Sequence, residues 1–165
     1  MLNSIASWGK AVKIHQLVQQ QTLPISIEQA WEFFSDPKNL NEITPDDLGF
    51  RITHCPEGKM YEGEIITYRV KVAPMIWVRW VTEIKAVEEG VSFIDEQRAG
   101  PYRFWHHRHH FREVPEGVEM TDTVNYSVGM GIFGEIAGVL FVHAKLQHVF
   151  RSRRELLAKR FGECA

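Results

Sequence analysis

Cysteine is scarce in this chain, neither sign of charge dominates, and no long apolar run is present; each shortage removes a class of protein. The two cysteines, Cys55 and Cys164, lie far apart and neither belongs to a CxxC pair. That leaves no disulfide framework and no cysteine-based zinc site, and it suits a reducing cytoplasm. Nineteen Lys and Arg stand against 21 Asp and Glu, for a formal charge of -2, so no global positive field draws in a nucleic acid or an anionic membrane. The most apolar stretch, Ile132 to Val142, is broken by Gly134, Glu135 and Gly138. The N-terminus also lacks a basic start followed by an apolar run, so neither a signal peptide nor stable membrane insertion is expected.

What is present is ordinary in amount and rich in rings. The 165 residues are 44% hydrophobic and 24% charged, with 10 Phe, 5 Trp and 4 Tyr, enough for one globular core and too little for two. Residues 1–12 follow neither helical nor strand periodicity and are read as a flexible extension, which leaves 13–165 as a single domain.

Along that domain the period of the pattern changes twice. Lys13 to Thr22 reads as a strand. Ser26 precedes Ile27, Ala30, Trp31, Phe33 and Phe34 at helical spacing, so Ser26 is the expected N-cap and Ser35-Asp36-Pro37 the stop. Asn39 to Ile43 reads as a second short helix. From Leu48 the period is two, with Ile66, Tyr68, Val70 and Val72 on one face, then Ile76, Val78, Trp80, Thr82 and Ile84. Turn residues at Gly58, Ala73-Pro74, Gly90, Gly100-Pro101 and Pro115-Glu116-Gly117 separate strands of an antiparallel meander. After Gly129 the period returns to 3.6: Ile132, Ile136, Val139, Leu140, His143, Leu146, Val149, Phe150, Leu157 and Phe161 form one stripe of a long helix. Its closing Arg151, Arg153, Arg154, Lys159 and Arg160 suit the negative end of the helix dipole. With no aromatic stacking platform beside them they read as a solvated face, and no nucleic-acid partner is expected.

A strand, two short helices, about six antiparallel strands and a long C-terminal helix form an α+β order that resembles the START-like, or SRPBCC, helix-grip fold. Two phrases carry the likeness further: Leu23-Pro24 followed by Ala30 to Pro45, and Gly100-Pro101-Tyr102 followed by Trp105-His106-His107 and Phe111. They resemble the bacterial ligand-binding subgroup that includes polyketide cyclase-like proteins. The resemblance implies a curved sheet wrapped around the long helix and enclosing a cavity. It implies no shared catalytic residue set, because this scaffold serves lipid carriers, hormone receptors, cyclases and oxygenase domains alike.

The stretch Tyr102 to Arg112 carries the chemistry. As a strand it puts Trp105, His107, His109 and Phe111 on one face and Phe104, His106, Arg108, His110 and Arg112 on the other. The next strand turns Val118, Met120, Asp122, Val124 and Tyr126 the same way. A tight connection from Val114 to Gly117 pairs positions whose numbers sum to 231, so Trp105 faces Tyr126, His107 faces Val124, His109 faces Asp122 and Phe111 faces Met120. The preceding strand adds Phe93, Asp95 and Gln97, with Asp95 opposite either His107 or Trp105.

The expected cavity therefore has a polar floor. Its expected ligand-binding residues are Tyr68, Trp80, Phe93, Asp95, Gln97, Trp105, His107, His109, Asp122, Tyr126 and His143, with a hydrogen bond between His109 and Asp122. Unpaired polar groups at such positions cost several kcal/mol each in a dry core, whereas a cavity or close His-carboxylate pairing removes most of that cost. Two histidines at i and i+2 facing Asp122 match a 2-His-1-carboxylate set. An Asp-His pair accounts for the same residues without an ion, so no metal and no cofactor is expected. His106 and His110 fall on the outer face and are expected to be solvated. The leading expectation is a protein that binds a small, largely hydrophobic molecule, lipid or polyketide-like. The alternatives are a cyclase or dehydratase using His107, His109 and Asp122 in acid-base chemistry, and a protein-interaction module.

Overall fold

The structure, a computed structural model, describes residues 13–44, 49–73, 75–128 and 131–164, with backbone alone at 73 and 131–140. Its elements follow in the order β1 (His15–Leu23), α1 (Ile27–Phe34), a 3-10 helix (Pro37–Asn41), β2 (Phe50–His54), β3 (Ile65–Ala73), β4 (Ile76–Glu88), β5 (Ser92–Ala99), β6 (Tyr102–Val114), β7 (Gly117–Val128) and α2 (Gly131–Phe161). Residues 1–12, expected to be an extension, lie outside the described residues. So do the side chains of Ile132, Ile136, Val139 and Leu140 in the expected helical stripe.

The seven strands form one antiparallel sheet in the order β1-β7-β6-β5-β4-β3-β2. Strands β2 to β7 are the meander, and β1 closes against β7 with Leu17 opposite Val124. Register breaks in four of the five pairs from β2 through β7 add residues to one strand of each pair, the device by which a sheet bends and curves.

α1 starts where a capping box forms: the Ser26 side chain accepts from the Gln29 N–H while the Gln29 side chain accepts from the Ser26 N–H. The second short helix is earlier and tighter than Asn39 to Ile43. Asp36 caps it by accepting from the Lys38 N–H at 2.9 Å, and Pro37 occupies its first turn, where a missing N–H costs nothing.

Two clusters of buried side chains join these layers. Leu23, Ala30, Phe33, Phe93, Phe111 and Leu157 bury the region under α1. Leu17, Trp105, Val124, Tyr126, Leu146 and Phe150 bury α2 against β1, β7 and β6. Phe93 thus lies with α1 and the end of α2, not with Trp80 and Trp105, because β5 carries it towards Trp31, whose ring stands edge-on at 6.1 Å. Among the described residues, no helix is long and apolar enough to cross a membrane.

Candidate functional site

The β6–β7 hairpin sets the site. Gly117 turns the chain at φ +135°, and a Cβ there would strike the Leu23 carbonyl, so the turn needs glycine and fixes the register behind it. Trp105 faces Tyr126, His107 faces Val124, His109 faces Asp122 and Phe111 faces Met120. All eight are buried. Asp95 stands opposite His107 rather than Trp105.

Two imidazoles and two carboxylates consequently meet in one buried group. Asp95 Oδ2 lies 3.0 Å from His107 Nδ1 and 3.1 Å from His109 Nε2. Asp122 Oδ1 lies 3.0 Å from His107 Nε2 and 2.8 Å from His109 Nδ1. The histidine rings are 3.9 Å apart, and the Trp105 Nε1–H donates to the other Asp95 oxygen at 2.8 Å. The expected His109–Asp122 hydrogen bond is corrected in one respect. His109 Nδ1 is close to Asp122 but poorly aligned, so the bond with hydrogen-bond geometry comes from His107. The pleat explains this: His107 reaches Asp122 on the diagonal, while His109 turns its Nε2 towards Asp95.

Burial by itself pulls the His107 imidazole down. The charge of Asp95, the hydrogen bonds to Asp122 and Asp95, and the charge of Asp122 outweigh it and push His107 up to about 9. Burial likewise raises Asp95 and Asp122, but the facing histidines hold both well below the usual carboxylate range.

Between the sheet, α1 and α2 lies a cavity of about 620 Å³. Of the residues expected to line it, Tyr68, Trp80, Phe93, Asp95, Trp105, His107 and His109 do so. Gln97 does not: its amide bonds twice to the Tyr102 backbone and braces the β5–β6 turn, where a Cβ at Gly100 would collide with it. Asp122 sits behind the histidines at 2% exposure, and Tyr126 is fully buried. His143 is taken up by the Tyr126 hydroxyl at 3.1 Å and by Gln147. On the outer face Arg108 and Arg112 are exposed, as expected. His106 is only half-buried rather than solvated, with its ring parallel to Phe104 and its Nδ1 shielded.

Several wall residues were not foreseen. Phe33, Phe34, Leu40 and Ile43 close the cavity from the α1 side, and their apolar spacing was a readable signal. Tyr102 lines it because the register break between Tyr102 and Phe104 turns it inward, onto Trp80 and Trp105. A bulge of this kind leaves no mark in alternation. Lys71, Lys145 and Arg153 add cationic groups to the wall.

No family model matches the chain, and no curated protein matches it. Solved structures do. The protein TTHA0849 from Thermus thermophilus superposes with a TM-score of 0.65 at 16% identity, over 88% of this chain and 99% of that one. CV1439 from Chromobacterium violaceum gives 0.66 at 11% identity over 90% and 98%. Ara h 8.0201, which is Bet v 1-like, gives 0.63 at 13% identity over 89% and 99%. The fold is a helix-grip. Identities this low show the fold alone, and within a helix-grip the cavity is the space between the curved sheet and the long helix. In this chain that space has one apolar side, with Ile66, Tyr68 and Ile84 of β3 and β4, and one side carrying Asp95, His107 and His109.

Proposed function

We propose that this chain binds a small, largely apolar molecule in the cavity between the sheet and α2, and that Asp95, His107 and His109 meet its polar end. One observation carries the reading: a space of about 620 Å³, walled mainly by aliphatic and aromatic side chains, with Asp95, His107 and His109 gathered on one side. That volume is on the scale of small-molecule sites, and a few convergent polar groups in an apolar pocket orient a ligand. The resemblance of Ala30 to Pro45 and of Gly100 to Phe111 to the polyketide cyclase-like START group points to the same class of ligand, lipid or polyketide-like. An environment-sensitive apolar dye tests it. The expectation is one dye per chain, quenching of Trp80 and Trp105 fluorescence, and a large loss of affinity in Val70→Trp, which fills the cavity from β3. Wild-type protein that binds no dye, or Val70→Trp that melts normally and binds as well as wild type, overturns the reading in favour of an interaction module.

A second reading is acid-base catalysis on the same molecule. It is favoured by one observation, that His107 and His109 each touch a carboxylate on the cavity wall. A captured ligand that converts over time in wild type, and not in His109→Asn, would move the proposal from carrier to enzyme.

A further inference from the structure

The histidine-carboxylate group has a geometry that ligand orientation does not require. We propose that Asp95, His107 and His109 hold a divalent first-row transition ion on the cavity wall, with Asp122 positioning both imidazoles from behind. The proposal goes beyond binding of an apolar molecule and does not depend on it.

Three features point to the ion. One atom from each of Asp95, His107 and His109 lies within 4.8 Å of the others, and Asp95 Oδ2 is 3.0 and 3.1 Å from the two ring nitrogens facing it. Two ligands each about 2.1 Å from an ion and at right angles to one another stand about 3 Å apart. The observed spacing, which is also that of a hydrogen bond, matches neighbouring ligands around one centre.

The second feature is the bracing. Metal-bound histidines almost always give their other ring N–H to a carboxylate, carbonyl or water, which fixes the tautomer and aims the bare nitrogen at the ion. Here both far nitrogens, His107 Nε2 and His109 Nδ1, lie within 3.0 Å of a single oxygen of Asp122, whose side chain is 3% exposed, and His107 Nε2 is aligned to donate to it. Asp95 is braced in the same sense by the Trp105 indole N–H.

The third is charge and access. With an ion on the near side each imidazole is neutral and keeps one N–H on its far nitrogen, and that of His107 donates to Asp122. A divalent charge also balances the two carboxylates, so the buried group stays neutral. Asp95 retains 21% exposure and the trio lines the cavity, so the ion's remaining positions would face that space. A donor set of two imidazoles and one carboxylate suits Zn(II), Fe(II) or Co(II) better than Mg(II) or Ca(II).

Co(II) is the probe, added to tag-free protein stripped with a chelator and followed by visible absorption and titration calorimetry. The expected result is one Co(II) per chain, displaced by Zn(II). Asp95→Asn should lose at least about 100-fold in affinity, and Asp122→Asn, which removes only the brace, about 10- to 100-fold. His110→Asn on the outer face should bind as wild type does. Should Asp95→Asn fail to fold, two-dimensional NMR of the wild-type imidazoles reads the same point: Zn(II) should shift His107 and His109 and leave His110 in place. Wild-type protein that takes up no Co(II) below millimolar concentration overturns the proposal. So does affinity that falls in His110→Asn and not in Asp122→Asn. The dye experiment is separate: dye bound without metal leaves the cavity reading standing and removes this one.

Discussion

On the inner face of the β6–β7 hairpin, His107, His109 and Asp122 are 8% exposed or less, and each histidine lies within 3.0 Å of the Asp122 carboxylate. On the outer face Arg108 and Arg112 stand in solvent, His106 and His110 are half-buried, and Arg112 pairs with Glu119 at 2.9 Å across the same two strands. The residue types are nearly the same on both sides. What differs is the dielectric around them: an ion pair in water is worth little, whereas a buried one left half-made is costly. A tract as rich in histidine as Trp105 to His110 is therefore informative through its parity and its facing carboxylates, not through its composition.

The hardest break in that contrast is aromatic. Phe111 on the inner face is 3% exposed and packs with Phe34, Phe93 and Trp31, so Phe111→Ala should cost about 3–5 kcal/mol in urea unfolding. Phe104, seven positions earlier and 40% exposed on the outer face, should cost under about 1 kcal/mol when replaced by Ala. Equal losses would mean that the two faces are not distinguished by burial.

Next comes the buried carboxylate. Asp122→Asn keeps the shape but turns one acceptor into a donor facing two ring nitrogens, and about 2 kcal/mol should be lost. Dye affinity should change little if the cavity alone holds the dye, since Asp122 sits behind its wall.

The same cluster sets a pH dependence in chelator-treated protein. His107 is raised above its ordinary 6.5 towards about 9, so its stabilisation is complete below 6.5 and is lost as pH rises through 9. Asp95 and Asp122 are lowered from 3.8, so theirs is present above that value and lost as pH falls below it. The melting-temperature gap between wild type and His107→Asn should be widest between those limits and narrow towards pH 9. A gap that widens on the alkaline side would show that the imidazole is neutral at low pH and the assignment is inverted.

Much of this inner face was legible in the sequence. Alternation over Trp105 to Phe111, a second run from Val118 to Tyr126 and a turn too short to admit another register pairing fixed which residues meet. The order of elements pointed to the helix-grip because each period change is long enough to count. What stayed hidden depends on single added residues and on side-chain reach. The break beside Phe104 brings Tyr102 into the cavity, Gln97 turns to its own hairpin backbone, and the diagonal reach of His107 gives it the aligned bond to Asp122. Periodicity carries no information on any of these.

The mildest expected effect belongs to Glu119→Gln. Glu119 sits three residues before Asp122 on β7, and its partner Arg112 has 62% of its side chain in solvent. Water screens such a pair, and fixing two long side chains costs entropy that offsets most of the attraction. The substitution removes the charge while leaving an oxygen that the guanidinium can still meet. Urea unfolding should change by under about 0.5 kcal/mol, and that small difference should shrink further as sodium chloride is raised. Dye and Co(II) binding should be unaffected, because the sheet itself separates Glu119 from the cavity. If Glu119→Gln instead matched Asp122→Asn in either stability or binding, the outer pair would be coupled to the inner cluster through the strands, and the division of this hairpin into a solvated face and a functional face would fail.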